Sequence, residues 1–477
     1  MIWLMNTGIK VTLAMLFVVG VGGSWLALTV PQPTKLSWLD KLALSWFLGV
    51  GYFAWLVSVS LLLFGRMYLW VWAASAVVCL IAVVRYRQVI FSAPKLGPIR
   101  WPRLRFTWSH VVTFLLLTVV VVQSAYVLAA SLSSSLAWDG VFVWAIKAKA
   151  IYFDMTTHPG ALLKYLSTDM VSLSNPEYPL GLPALMAWIF VWVGGIDEQA
   201  IKVIVPIFFV SLLALLSSRL MRVTTTAQAL LLVALLASVP LLIGLSMTGY
   251  ADVPLAALFG VAAAFGAEYL RQPTASSRDL TVVLAASMIL MKNEGLILAV
   301  LLGVFLCAAL LLTGTRRVTK EFVIRYLGGL LIIGGPWLLF AFGHTYKRKI
   351  FLPLTLSVLM QNKSRLPELV GYMWQLLKTF NLFGYIWPLV VIFALARLSR
   401  WKHREVIFLG LLCAAPLVVD IFIYVFSAWD PYLWHVRTSM DRLILHLLPI
   451  GVLLMGHLWG GGSDRSDQDS PLEASQA

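Results

Sequence analysis

The chain repeats one feature: apolar runs long enough to cross a bilayer, separated by short polar connections. A spanning helix needs about 20 predominantly apolar residues. Such runs occur at about 11–30, 42–64, 67–84, 111–131, 200–217, 227–246, 252–270, 279–292, 294–314, 326–343, 384–397, 405–426 and 443–460. They predict an all-α polytopic membrane protein with about 13 transmembrane helices. Composition agrees, because 60% of the 477 residues are apolar and only 12% are charged, about half the charged share of a soluble domain. An ordinary soluble enzyme is thereby excluded.

The formal charge is +15, which in a soluble chain raises the question of nucleic acid. In a membrane protein the same excess collects in cytoplasmic loops, and no nucleic-acid partner is expected. The connection holding Arg85, Arg87, Lys95, Arg100, Arg103 and Arg105 fixes the orientation. Counting spans onward puts four more clusters on that face: Arg219 with Arg222, Arg271 with Arg278, Arg316-Arg317-Lys320-Arg325, and Arg397-Arg400-Lys402-Arg404. The count works only if 180–194 does not span, so that stretch is expected as an interfacial helix against the outer leaflet. The chain then divides into a three-helix segment with its basic loop (1–107), a central membrane part (108–343) carrying the outer loop 132–199, C-terminal helices with outer loops (344–460) and a disordered cytoplasmic tail (461–477).

Cys79, Cys307 and Cys413 stand far apart in apolar stretches and read as packing residues. No basic segment precedes the first apolar run and no small-residue cleavage site follows it, so it is expected as a retained helix. P-loop, GxSxG, HExxH and Cys/His metal spacings are absent in useful contexts. Nucleotide-driven chemistry is not expected.

Ionisable groups beside or within apolar helices are functional candidates. Asp139 follows the 111–131 run, either as a base for a hydroxyl or as the cap of a helix beginning near Val141. Asp252, two residues before Pro254, fits an N-cap at the start of the next helix. Lys292 and Glu294 predict an internal ion pair at a helix break. Arg437, Asp441, Arg442 and His446 open the last helix, for phosphate contacts or for snorkelling beside Trp429, Tyr432 and Trp434. Lys147 and Lys149, with Lys347-Arg348-Lys349, put positive charge on the outer face, for an anionic substrate or for lipid headgroups. Asn362-Lys363-Ser364 matches a short glycosylation sequon.

These segments together resemble a known superfamily. A helix leading into a large outer loop that opens on Asp139, the Pro-rich stretch 175–190, the glycine-acidic turn 194–202, a second outer carboxylate in 249–258 and the break at 291–296 resemble the GT-C glycosyltransferases. Within them the chain looks most similar to bacterial members related to the protein mannosyltransferase and aminoarabinose transferase group. The resemblance covers about 108–343, with a weaker match at 427–449.

It implies an inverting transfer of sugar from a polyprenyl-phosphate-linked donor to a glycan, lipid or protein acceptor, at the outer face of a bacterial inner membrane. Asp139 matches the catalytic base. Asp252, Lys292, Glu294, Glu177 and Tyr178 would support the acceptor side, and Arg437, Arg442, His446, Lys147 and Lys149 would meet the donor phosphate. No cofactor is implied. The loop reads Trp138-Asp139-Gly140 where a double-acid metal site would need Asp-Glu, so a divalent metal is left open. Three helices precede the match, and no sizeable C-terminal soluble domain follows it. Two other readings use the same features: a flippase or transporter of a lipid-linked anion, and an O-antigen-type polymerase or ligase.

Overall fold

A computed structural model describes residues 2–30, 36–70, 107–167, 175–312, 316–343 and 350–460, with scattered residues between 72 and 84. Among the described residues the fold is all-α, with only an isolated antiparallel bridge between Phe351 and Ser427. Nine helices among the described residues are long and apolar enough to cross a membrane, or ten if the bent pair Thr226–Ala237 and Pro240–Ser246 is one span.

The expected count of 13 is therefore higher than what the described residues carry. The run at 279–292 becomes a 15-residue helix, Ala275–Ile289. The run at 384–397 becomes the 11-residue helix Ile386–Ala396. At 1.5 Å per residue neither covers a hydrocarbon core of about 30 Å alone. The run at 67–84 lies partly outside the described residues, as do the basic connection 85–105, Lys347-Arg348-Lys349 and the 461–477 tail.

Uniform apolarity does not say which helix is central; side-chain size does. Asp252–Arg271 is buried over 94% of its apolar window and carries Gly260, Gly266 and a series of alanines. Small residues let neighbouring helix backbones approach. A Cβ on Gly260 would stand 2.4 Å from the Cβ of Pro449. Around this axis pack Ala200–Leu220, Ala275–Ile289, Glu294–Leu311, Arg404–Val425 and Tyr432–Trp459. The Val- and Leu-rich helix Trp108–Ser133 is the opposite case, with only Val127 and Ser131 buried.

The segment 132–199 folds into short pieces: a π-helical turn Gly140–Ala145, then Ile146–Thr156, Ala161–Ser167 and Gly181–Val193. The last of these does not lie against a leaflet as expected. Its residues from Gly181 to Phe190 are buried inside the protein, packed on Trp38–Phe64, Asn6–Thr29 and Ile146–Thr156. Its run of large apolar groups gains more from burial against protein than from a half-wet interface. Lys202, itself buried, caps the end of Trp108–Ser133 by donating from Nζ to the carbonyls of Ser134 (2.7 Å) and Ser135 (2.8 Å).

The helix directions separate the two ends of the bundle. Ion pairs Arg219–Glu268 and Arg278–Glu321, with a hydrogen bond from Arg400 to the carbonyl of Gly460, gather the basic clusters at one end. At the other end three backbone approaches hold loops together. The Ala137 N–H donates to Thr248 O (3.1 Å), Gly181 to Leu290 O (2.9 Å) and Gly295 to Lys292 O (2.9 Å).

The Gly295 approach is testable, because a Cβ there would stand 2.0 Å from the carbonyl oxygen of Met288. Backbone atoms cannot yield as a flexible side chain can. Gly295→Val is expected to lower the thermal midpoint in detergent by several degrees. Gly244→Ala, where nothing lies within 4 Å, is expected to leave it unchanged or slightly raised.

Candidate functional site

The end opposite the basic clusters carries an alternating series of charges. Asp139 accepts from Arg442 Nη1 at 2.5 Å, across 303 positions of sequence. The same guanidinium nitrogen lies 3.7 Å from Asp252 Oδ2. Lys292 Nζ donates to Asp252 Oδ1 at 2.9 Å and stands 2.9 Å from Glu294 Oε1. His446 Nε2 approaches Asp252 Oδ1 to 3.3 Å. The order is therefore carboxylate, guanidinium, carboxylate, ammonium, carboxylate. Each inner charge has an opposite neighbour on both sides, which burial requires.

Local structure explains the placement. Asp252 is the first residue inside its helix, after the cap Ala251, and Asp139 precedes the π-helical turn Gly140–Ala145. The capping roles weighed from sequence are not the ones seen. Neither N-terminus has a side-chain cap bond, and both carboxylates are spent on cations. The ion pair expected at Lys292 and Glu294 is present, extended by Asp252. Burial works against the Lys292 ammonium, but Asp252 and Glu294 outweigh it and hold its pKa above the ordinary value.

Exposure grades along the series. The side chain of Asp252 is 1% exposed, Lys292 4% and His446 2%, whereas Asp139 is 27% and Glu294 25% exposed. The inner members are structural partners first. The outer carboxylates are the ones a reacting molecule can reach.

Tyr178 and Tyr250 flank the series. Arg442 sits over the Tyr250 ring at 5.4 Å, and the Tyr250 hydroxyl accepts from the Asp139 N–H at 3.3 Å. Burial, then the negative charges of Glu294 and Glu177, push the Tyr178 phenol well above its usual range. It stays a neutral donor. Its ring stacks on Trp144, centroids 5.7 Å apart.

Other expected residues stand elsewhere. Lys147, fully buried, donates to the carbonyls of Asn175 (2.6 Å) and Tyr178 (3.2 Å), so it ties down the loop and is not free for a phosphate. Glu177 lies within its electrostatic reach. Lys149 pairs with Glu198 at 2.5 Å. Arg437 is exposed, and its charge acts on Tyr372 beside Asp441. At five residues from Arg442 it projects from another side of the helix. Of the expected phosphate ligands, Arg442 and His446 join the site.

Two residues had gone without a role. Tyr250 was visible in the run around Asp252 but carries no charge to mark it. Asp420 lies inside the apolar helix Arg404–Val425, within electrostatic reach of Glu294 and Lys292. A lone carboxylate in an apolar run was the available signal. Among the described residues no group of three or more His, Cys, Asp or Glu is arranged to hold a metal ion.

Comparison of the chain with family models, with curated proteins and with solved structures yields no match in any of the three.

Two outcomes follow from these charges. Removing one partner of a buried pair costs about 3–5 kcal/mol, so Lys292→Met should unfold the protein at markedly lower denaturant. The double variant Lys292→Met/Asp252→Asn should lose less than the sum of the two single variants, and an additive result would show the pair to be uncoupled. Burial holds the Lys147 amine down at about 7, against the opposing pull of Glu177. Below that pH the amine is charged in both states and the burial cost is full. Between about 7 and its ordinary value near 10.5 the unfolded chain binds more protons, so folding stability rises with pH across that window. The thermal midpoint of wild type relative to Lys147→Met, followed from pH 7 to 10, should show that rise.

Proposed function

We propose that the chain is an inverting glycosyltransferase of GT-C type, moving a sugar from a polyprenyl-phosphate-linked donor to an acceptor hydroxyl. The observation that carries the reading is the contact between Asp139 and Arg442, beside the Asp252–Lys292–Glu294 series. A partly exposed carboxylate and a guanidinium are the two groups such a displacement needs, and here they touch. The finer description goes with it: a GT-C-like arrangement of membrane spans in a bacterial inner membrane, with this end facing outward.

The chemistry is a single displacement. Asp139 takes the proton of the acceptor hydroxyl as its oxygen attacks the anomeric carbon. The bond from that carbon to the phosphate oxygen breaks, and the electron pair leaves with the polyprenyl phosphate. Arg442 offsets the charge that develops there. At rest Arg442 is occupied by Asp139 and Asp252, so an arriving phosphate competes for the guanidinium and releases Asp139 for the acceptor. Bidentate geometry suits Arg to that exchange. Asp252, Lys292 and His446 position Arg442 and are too buried to meet the acceptor directly.

The test is incubation of purified protein in liposomes with a panel of radiolabelled polyprenyl-phosphate monosaccharides. One donor should be consumed, and Asp139→Asn should lower turnover by roughly 10²- to 10⁴-fold while folding normally. An Asp139→Asn variant retaining more than half of wild-type turnover removes that residue from the role. Movement of an intact donor across the bilayer without transfer would favour the flippase reading instead.

A further inference from the structure

At the end of the bundle opposite Asp139 lies a small depression open to solvent, lined by Arg219, Arg222, Arg271, Glu268 and His457. Guanidinium groups outnumber carboxylates there. Arg219, buried, gives Nη2 to Asp40 at 2.7 Å and Nη1 to Glu268 at 2.9 Å, and its Nε is buried without an acceptor. Arg222, 42% exposed, takes the other oxygen of Glu268 at 2.5 Å. Arg271 is exposed. Asp40 and Glu268 are taken up by Arg219 and Arg222, and Glu405 lies within electrostatic reach of His457 in the same lining.

Arg222 lies beyond the end of Ala200–Leu220, and burial first, then Arg219, pull its pKa below the ordinary value, with Arg271 acting the same way against Glu268 and Asp40. The same end holds Arg278, Arg316, Arg400 and Arg404, and on the positive-inside rule it is the cytoplasmic one, the orientation taken above. Basic hollows between helices on that side suit anionic headgroups, and planar guanidinium forks suit phosphate oxygens.

We infer that this depression binds a phosphate ester, with Arg222 and Arg271 contacting the phosphate and Arg219 framing it. The ester belongs either to an anionic phospholipid of the inner leaflet or to a soluble phosphorylated molecule. The inference rests on the orientation of the proposed enzyme and not on its transfer chemistry.

The experiment titrates full-length protein in a neutral detergent with phosphatidylglycerol, with phosphatidylcholine, and separately with inorganic phosphate and glycerol 3-phosphate, reading the thermal midpoint. Phosphatidylglycerol or the soluble esters should raise it saturably while phosphatidylcholine does not. A shift from the soluble esters identifies a soluble ligand, and a shift from phosphatidylglycerol alone identifies the lipid. Arg271→Gln, which removes only an exposed side chain, should weaken the apparent affinity about fivefold, and Arg222→Gln/Arg271→Gln about 25-fold, at about 1 kcal/mol per arginine near a membrane surface. Equal effects of the two lipids with no effect of the soluble esters, or wild-type affinity in Arg271→Gln, would overturn the inference. Sugar transfer and its dependence on Asp139 are read in a separate assay, so either proposal can fail without the other.

Discussion

The site end of this protein depends on one constraint, that charge inside an apolar bundle must be answered by charge. Asp252, at the head of the central helix, is nearly inaccessible and is met by Lys292, Arg442 and His446. Those partners come from a helix break 40 residues on and from the last membrane helix. Through Arg442 the same carboxylate is linked to Asp139 in the outer segment. Three regions of chain far apart in sequence are thus registered by a handful of contacts. Packing of alanine and glycine along Asp252–Arg271 brings the helices close; the charges decide their register.

Much of the fold was legible in the apolar runs, because a spanning helix is announced by length and lack of charge alone. Nine of those runs appear as helices of spanning length, and one more as a bent pair. What was not legible follows from the same uniformity. Ala275–Ile289 and Ile386–Ala396 are apolar but short, and hydropathy cannot distinguish a full span from a shorter helix leaning on its neighbours. Gly181–Val193 looked interfacial because topology needed it not to span, but its burial is a property of what surrounds it.

The site was half legible for a related reason. Asp139, Asp252, Lys292, Glu294, Arg442 and His446 stood out as ionisable groups beside apolar helices, and the structure brings all six together. Their pairing was hidden, since 303 positions separate Asp139 from Arg442. Lys147 and Lys149 misled because a lysine's position on one face says nothing about whether a carbonyl or Glu198 claims it first. The carboxylate of Asp420 is averaged away by the apolar residues on either side of it in Arg404–Val425.

The exposed helix Trp108–Ser133 bears on all of this. Its 26 residues would measure roughly 39 Å at 1.5 Å per residue, longer than a hydrocarbon core of about 30 Å. Such excess is absorbed by leaning. One extremity is clamped: Lys202 grips the carbonyls of Ser134 and Ser135, and the Ser131 hydroxyl bonds back to the Lys202 carbonyl at 2.9 Å. The lean is therefore set at the Ser133 end, where the contacts that hold the helix also hold the start of the segment bearing Asp139, and along its length by packing on Thr226–Ala237.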